Sequence, residues 1–518
     1  MQRSLRKLPT VVVTQTRSVA MSAMQTQTPS TTSPSPSATS KREGDISDSF
    51  VSLSNPKRPP LPQRFLDLKR SLVKGREDAI IASWNRLLRQ LRTENDLVAA
   101  KGPGIVPVLQ FQTLEEQLPL FRDELQKRGV AVVKGVIPRD EARAYKSEIE
   151  EYVRQNPSTR AFPPEDPQVY ELYWSSPQVK VRAHPNFLKA QTLLMQHLWH
   201  SSSDTALIST SQPLAYADRL RIRQPGDARF ALGPHMDGGS VERWEHNGYG
   251  LGGGPDGKGG GVYKDVFAGD WEKFDPWDAG ARVGAVNDNY NGLGACSMFR
   301  MFQGWLSMSR TGPREGTLMV NPLLRLATAY LLLRPFFAPV REEKKEGYLD
   351  EENWQFCEGD SMTSALPGAE PGFGQELSAA LHPHLDLDRT MVHMPPVEPG
   401  DFVVWHCDTI HAVDKVHTGK SDSSVLYIPI CPVTEANAKY LARQRQAFLD
   451  GTPGPDFPGG AGESEHVNRP TVGFLRRYAG AAGLRAMGLE KLEEQPQDPR
   501  ETLGAQNVTK QANKILGL

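Results

Sequence analysis

Leu220-Arg-Ile-Arg-Gln-Pro-Gly-Asp227, followed by Leu232-Gly-Pro-His-Met-Asp-Gly-Gly239, is the stretch on which the reading of this chain turns. Its first half alternates apolar and charged residues and closes on a Pro-Gly turn, the pattern of a half-buried strand. The second half delivers His235-Met236-Asp237. Side chains two apart on an extended strand point the same way, so His235 and Asp237 can grip one ion from one face. A third ligand must come from elsewhere. His411 supplies it, because it ends Pro399-Gly-Asp-Phe-Val-Val-Trp-His-Cys-Asp-Thr-Ile-His411, an apolar strand signal launched from a Pro-Gly turn. Two imidazoles and a carboxylate fill one face of an octahedron, the ligand set of non-haem iron(II) oxygenases, and leave the other positions for co-substrate and oxygen.

Working outward, 298–309, 316–322 and 425–431 read as further strands. Strand, ligand pair, strands, distal histidine and final strand is the order of a jelly roll. The expected fold is therefore mainly β with flanking helices, around a double-stranded β-helix of cupin-like type. Ahead of it, Phe65, Leu66, Leu68, Leu72, Ile80, Ile81, Trp84, Leu87, Leu88 and Leu91 recur at spacings near three and four until Lys101-Gly-Pro-Gly ends the run. A helix over 114–127, a strand over 129–136 and a helix over 140–154 follow, with another helix over 181–199. After the last strand, Thr434 caps a helix over 435–449, and a second helical stretch covers 471–489. These two either cover the barrel end or make a dimer contact.

The 518 residues carry a net charge of −1, which gives no reason to invoke nucleic acid. The most apolar run, 323–335, is too short for a bilayer and contains two arginines, so it reads as a buried helix and no membrane span is expected. Four scattered cysteines without a Cys-x-x-Cys point to a reducing compartment. No composition break divides the middle of the chain. The expected organisation is a tail over 1–58, one domain over 60–480 with a helical N-terminal buttress and insertions at 244–290 and 335–399, and a C-terminal helix end and tail over 481–518. The first 42 residues lack Asp and Glu, carry Arg3, Arg6, Lys7 and Arg17, and pass into a Ser/Thr/Pro tract. They resemble a mitochondrial transit peptide; the competing reading, a disordered tail on a cytoplasmic protein, is preferred.

Several pieces together resemble a known family. They are Gly233-Pro-His-Met-Asp-Gly-Gly-Ser-Val-Glu-Arg-Trp244, Gln303-Gly-Trp-Leu-Ser307 with Gly316-Thr-Leu318, Leu332-Leu-Arg-Pro-Phe-Phe337, and Pro399-Gly-Asp401 with Ile410-His-Ala-Val413. The chain resembles the iron(II)/2-oxoglutarate dioxygenase-like superfamily, of the phytanoyl-CoA hydroxylase or clavaminate-synthase type. More narrowly, it resembles the YbiU-like and fungal N-acetylglucosamine-induced family, whose function is unknown. The resemblance implies iron(II) held by His235, Asp237 and His411, 2-oxoglutarate as co-substrate, and hydroxylation of a small molecule. That superfamily commonly places an Arg about ten residues beyond the distal His, to pair with the far carboxylate of 2-oxoglutarate. Here 411–424 has no Arg. Lys420 replaces it, another strand provides an Arg, or 2-oxoglutarate is not used. Arg219, Arg221 and Arg223 alternate with Leu220 and Ile222, so Arg221 and Arg223 are candidates if the apolar face packs on helices; the equal alternative is that these arginines are rim residues paired with carboxylates.

Other readings compete. A cupin-like metal enzyme without 2-oxoglutarate and a non-catalytic ligand-binding protein both fit the fold, and a homo-oligomer is compatible with it. His406 is the rival third ligand. Glu242 would be a fourth ligand or, preferably, an ion-pair partner of Arg243 or Arg300. His184, His197 and His200 are expected to be packing or surface residues, and His382 and His384 precede a loop. Gly252-Gly-Gly-Pro-Asp-Gly-Lys258 mimics the start of a phosphate-binding loop but lacks the Ser or Thr, and reads as a flexible loop. The insertion over 244–290, with Trp271 and Trp277, is expected to close over the iron.

Overall fold

Period-two alternation builds two sheets, and the chain crosses between them repeatedly. Numbered along the chain, the strands concerned are β1 (Leu220–Arg223), β2 (His235–Met236), β3 (Phe302–Ser307), β4 (Leu318–Val320), β5 (Val392–His393), β6 (Phe402–His406), β7 (His411–Val413) and β8 (Ser423–Tyr427). In this computed structural model, the larger sheet runs Val108–Gln110, Val130–Lys134, β6, β3, β8, β1, Val169–Tyr170, Ala161–Phe162. The smaller runs Gln375–Glu376, β2, β7, β4, β5. The structure describes residues 45–518 apart from 55–58, 230, 249–260, 294, 342, 344 and 496–500. Most of the expected disordered tail and the 252–258 glycine run lie outside the described residues. The chain divides into units Met1–Thr39 and Ser40–Leu518, and every described residue belongs to the second.

Alternation buries both faces of the larger sheet. Leu220, Ile222, Leu306, Phe402, Val404 and Leu426 share one core with Leu118, Ile149, Phe187 and Leu194 of the helices Leu114–Arg128, Arg139–Gln155 and Pro185–Leu198. Trp305, Val403, Trp405 and Val425 point the other way. They share a core with Leu318, Val320 and Ala412 of the smaller sheet and with the helices Glu77–Lys101 and Leu324–Leu333. The latter is the apolar run, and every residue of the helix but the exposed Arg325 is buried. No helix among the described residues is long and apolar enough to cross a membrane.

Four expectations change. Helix outweighs strand, 41% to 15%, so the fold is mixed α/β rather than mainly β. The two sheets do not close into a barrel. Three strands of the smaller sheet, Gln375–Glu376, β2 and β5, are only two residues long and offer little ladder from which closure could build. The run 399–411 is two strands, not one. After His406 the chain turns, with the Thr409 amide donating to the His406 carbonyl at 2.8 Å, and passes from the larger sheet to the smaller. Past 480, the expected tail includes the helix Leu503–Leu516, capped by Thr502 and buried through Val508, Ala512 and Leu516. With the helix Glu435–Asp450 it packs on the chain's own strand pair Ile208–Leu214 and Cys431–Thr434. These helices therefore cover the chain's own sheet.

The Pro-Gly turn before β6 requires its glycine. Gly400 has φ +93°, and a Cβ there would collide with the Ile137 carbonyl. Gly400→Ala is expected to destabilise the protein by more than about 1 kcal/mol, since strain at positive φ adds to backbone displacement. A urea midpoint equal to wild type would contradict this.

Candidate metal centre

His235 and His411 are backbone partners on β2 and β7, and their rings lie 4.1 Å apart between centroids. Asp237 follows β2 directly. Its Oδ1 is 3.7 Å from His235 Nε2 and its Oδ2 is 3.8 Å from His411 Nε2. One ligand atom from each residue falls within 4.8 Å of the others, so the three can share one ion.

The hydrogen bonds behind the rings set which nitrogen is free. His235 Nδ1 faces the Gly233 carbonyl at 2.7 Å and His411 Nδ1 faces the Thr409 carbonyl at 3.0 Å. A carbonyl only accepts, so Nδ1 carries the proton in each ring and the Nε2 lone pair is directed at the site. Burial, reinforced by repulsion from His235, lowers the His411 pKa to about 3. Burial disfavours the Asp237 carboxylate, but His411, His235 and Arg300 outweigh it and hold its pKa below the ordinary value. A neutral His411 imidazole beside an ionised Asp237 carboxylate is a form that binds a divalent cation.

The triad opens into a cavity of about 130 Å³ between the sheets. Arg221, Gln303, Trp305, Trp405, Val425 and Tyr427 line it from the larger sheet; Leu318 and Val413 line it from the smaller. Leu220 and Ile222 pack on the helix side, so Arg219 and Arg221 face the cavity. Arg221 donates to the Gly316 carbonyl at 2.9 Å, while its buried Nε has no partner among the described residues. Arg223 is held by Asp227 and by the Asp414 and Lys415 carbonyls, and does not line the cavity. Lys420 is exposed on the turn before β8, also outside the lining.

The rival ligands are occupied otherwise. His406 Nε2 faces the Pro276 carbonyl at 3.0 Å and its Nδ1 accepts from the Asp408 amide at 3.0 Å. Although His406, Cys407 and Asp408 also cluster within ligand range, both nitrogens of His406 are already engaged and Asp408 is bound to arginines. Glu242 lies outside the triad; it accepts from the Ser240 and Asn289 amides, and neither expected ion pair forms. Trp271 and Trp277 are core residues rather than a lid: Trp277 packs edge-on against Trp199 and His406. His382 and His384 are buried, and burial lowers both to about 3.

Three features were not anticipated. Arg300 reaches within 3.9 Å of Asp237 Oδ2. Asp408 bridges Arg243 at 2.9 Å and Arg282, while Arg243 also donates to the Asp237 carbonyl at 3.0 Å. The third is a segment ahead of the first long helix: Ile46, Ser49 and Phe50 form part of the cavity wall, and the Phe50 ring meets His235 edge-on at 5.1 Å between centroids. Ser49 fixes this segment by donating to the Leu293 carbonyl at 2.8 Å and accepting from the Gly374 amide at 2.9 Å.

Comparisons with known proteins place these residues in context. The sequence model of the Gig2-like family matches residues 59–489. The uncharacterised protein YbiU of Escherichia coli K12 is 30% identical over 428 residues, which span 79% of this chain and 91% of that protein. Among solved structures, the GlcNAc Inducible Gene 2 protein of Candida albicans is 31% identical, with a TM-score of 0.74 over 89% of this chain and 96% of that one. A Salmonella typhimurium LT2 protein named "Putative Oxidoreductase" is 28% identical, with a TM-score of 0.66 over 83% of this chain and 99% of that one.

The geometry makes two expectations measurable. Wild type should bind one divalent ion per chain and melt higher with it, whereas Asp237→Ala and His411→Ala should lose both effects. Equal metal content in all three proteins would refute the site. For Asp408, burial alone would raise the carboxyl pKa, but Arg282 and Arg243 outweigh it and hold it well below the usual range. Its stabilisation is thus fully present above the unfolded pKa of about 3.9 and fades only as pH falls through the lower folded value. Asp408→Asn is expected to cost on the order of 3–5 kcal/mol at neutral pH, with the gap to wild type shrinking below about pH 4. Urea melts at pH 7 and pH 3 test both statements, and a gap that widens in acid would contradict them.

Proposed function

We propose, for a chain that belongs to the Gig2-like family, that the cavity is the active centre of an iron(II)- and 2-oxoglutarate-dependent oxygenase acting on a small molecule. One observation carries this reading: two Nε2 lone pairs and a carboxylate converge on one side of a buried cavity, and a guanidinium with an unpartnered Nε lines the other. The double-stranded β-helix is supported by the crossing of β1 to β8 between two four-strand groups, and oxidoreductase chemistry by the name of the Salmonella relative. When bound, iron(II) with 2-oxoglutarate supplies decarboxylation of the keto acid by oxygen, coupled to oxidation of a substrate C–H bond.

The chain's own residues account for the rest. The Gly233 and Thr409 carbonyls hold the two imidazole protons at Nδ1 and orient the rings. Arg221 takes the far carboxylate of the co-substrate. It stands directly across the ladder from Val425 of β8, so the cation missing from that strand comes from its neighbour. Trp305, Leu318, Val413 and Val425 keep the walls apolar and exclude water from the reacting groups. The missing Arg on β8 also favours a second reading, a metal enzyme that binds no 2-oxoglutarate.

Anaerobic titration of the iron(II) protein with 2-oxoglutarate separates the two. The first reading expects a metal-to-ligand charge-transfer band. Arg221→Ala should weaken co-substrate binding by about ten- to a hundred-fold while iron remains bound, and Lys420→Ala should change nothing. No band and no affinity in wild type would favour the second.

A further inference from the structure

The charges around the triad do not balance with metal and co-substrate alone. Three guanidiniums, Arg219, Arg221 and Arg300, and two carboxylates, Asp218 and Asp237, line the cavity. Burial raises the Tyr216 and Tyr427 phenols and pushes the Cys296 thiol up to about 12, so these three lining groups carry no charge. A divalent ion and a dianionic 2-oxoglutarate offset each other, so one positive charge remains in an enclosed site, where uncompensated charge is costly.

That charge localises to Arg300. Arg219 is paired with Asp218 at 3.4 Å, and Arg221 is assigned to the co-substrate. Arg300 is 6% exposed and lies over the Tyr216 ring at 5.6 Å. Among the described residues it makes no hydrogen bond, and the carboxylate within its reach is Asp237, which is committed to the metal. Two further donors facing the cavity, Gln303 Nε2 and Trp405 Nε1, are buried without partners among the described residues. Buried donors of this kind call for an oxygen-bearing ligand.

We propose that Arg300 binds an acidic group of the substrate, and that the substrate is a monocarboxylic acid with an apolar body. This rests on the iron and 2-oxoglutarate reading. The single surplus charge selects a monoanion over a phosphate monoester, whose dianion would leave the site negative. Phe50, Leu232, Trp305 and Leu318 provide the apolar wall. Arg300 is thereby a specificity-determining residue rather than a prop for Asp237.

The test uses the full chain loaded with redox-silent manganese(II) and saturated with 2-oxoglutarate, each binding step being measured first by calorimetry. Hexanoate and phenylacetate are then titrated against their primary amides, with the fluorescence of the cavity tryptophans as readout. Each acid is expected to bind wild type at least ten-fold tighter than its amide. Arg300→Gln should erase that preference yet keep manganese and 2-oxoglutarate, and Arg300→Lys should keep part of it. Failure of every acid to bind, equal affinity for acid and amide, or an unchanged preference in Arg300→Gln would overturn the proposal. Loss of manganese together with the preference in Arg300→Gln would also overturn it, because Arg300 would then be supporting Asp237. If wild type binds manganese but not 2-oxoglutarate while acids still outbind amides, the co-substrate reading fails instead and the anion site stands.

Discussion

A single buried carboxylate holds three remote segments in place. Asp408 sits in the turn between β6 and β7, and it meets Arg243 from the loop behind Asp237 and Arg282 from the insertion that follows. Arg243 then reaches the Asp237 main chain. The ion cluster thus links the turn that delivers His411 to the loop that carries Asp237. Such clusters contribute modest net stability compared with apolar packing, yet removing one member strands the others as buried charges. Their value here is geometric. Ligands on strands of two and three residues have little ladder of their own to position them, and the cluster supplies that constraint.

Much of this site was legible because its signals are local. The i, i+2 pair His235 and Asp237, the Pro-Gly turn at 399–400, and the alternation around Leu220 and Ile222 each need only a few neighbouring residues. The alternation put Leu220 and Ile222 on one face and Arg221 on the other, and the packing of those two apolar residues on helices settles which face looks into the cavity. The helical runs near 65–91 were equally clear from spacing. They are two helices, Gln63–Val73 and Glu77–Lys101, separated near Gly75 at φ +74°.

What was not legible depends on contacts distant in sequence. Asp408 reads as one polar residue in a strand-like run, and its partners stand 165 and 126 positions away. Arg300 resembles any arginine before a strand, because its distance to Asp237 exists only after both sheets form. Trp271 and Trp277 were assigned to a lid because aromatic residues in a Gly-rich stretch can serve either as a cover or as core. Their burial against helices decides for core. The helix Leu503–Leu516 carries a usable signal, Thr502 followed by Val508, Ala512 and Leu516 at four-residue spacing, but an acidic, proline-containing stretch separates it from the rest of the helical pattern.

The wall built by Ile46, Ser49 and Phe50 has a consequence for how relatives can diverge. The family match begins at residue 59, downstream of this wall, while the metal ligands lie well inside the match. The candidate triad and part of the pocket's wall thus come from separate stretches of one chain. On the proposed reading, a substitution at Ile46 or Phe50 would alter which molecules fit the cavity while leaving the three triad residues themselves unchanged.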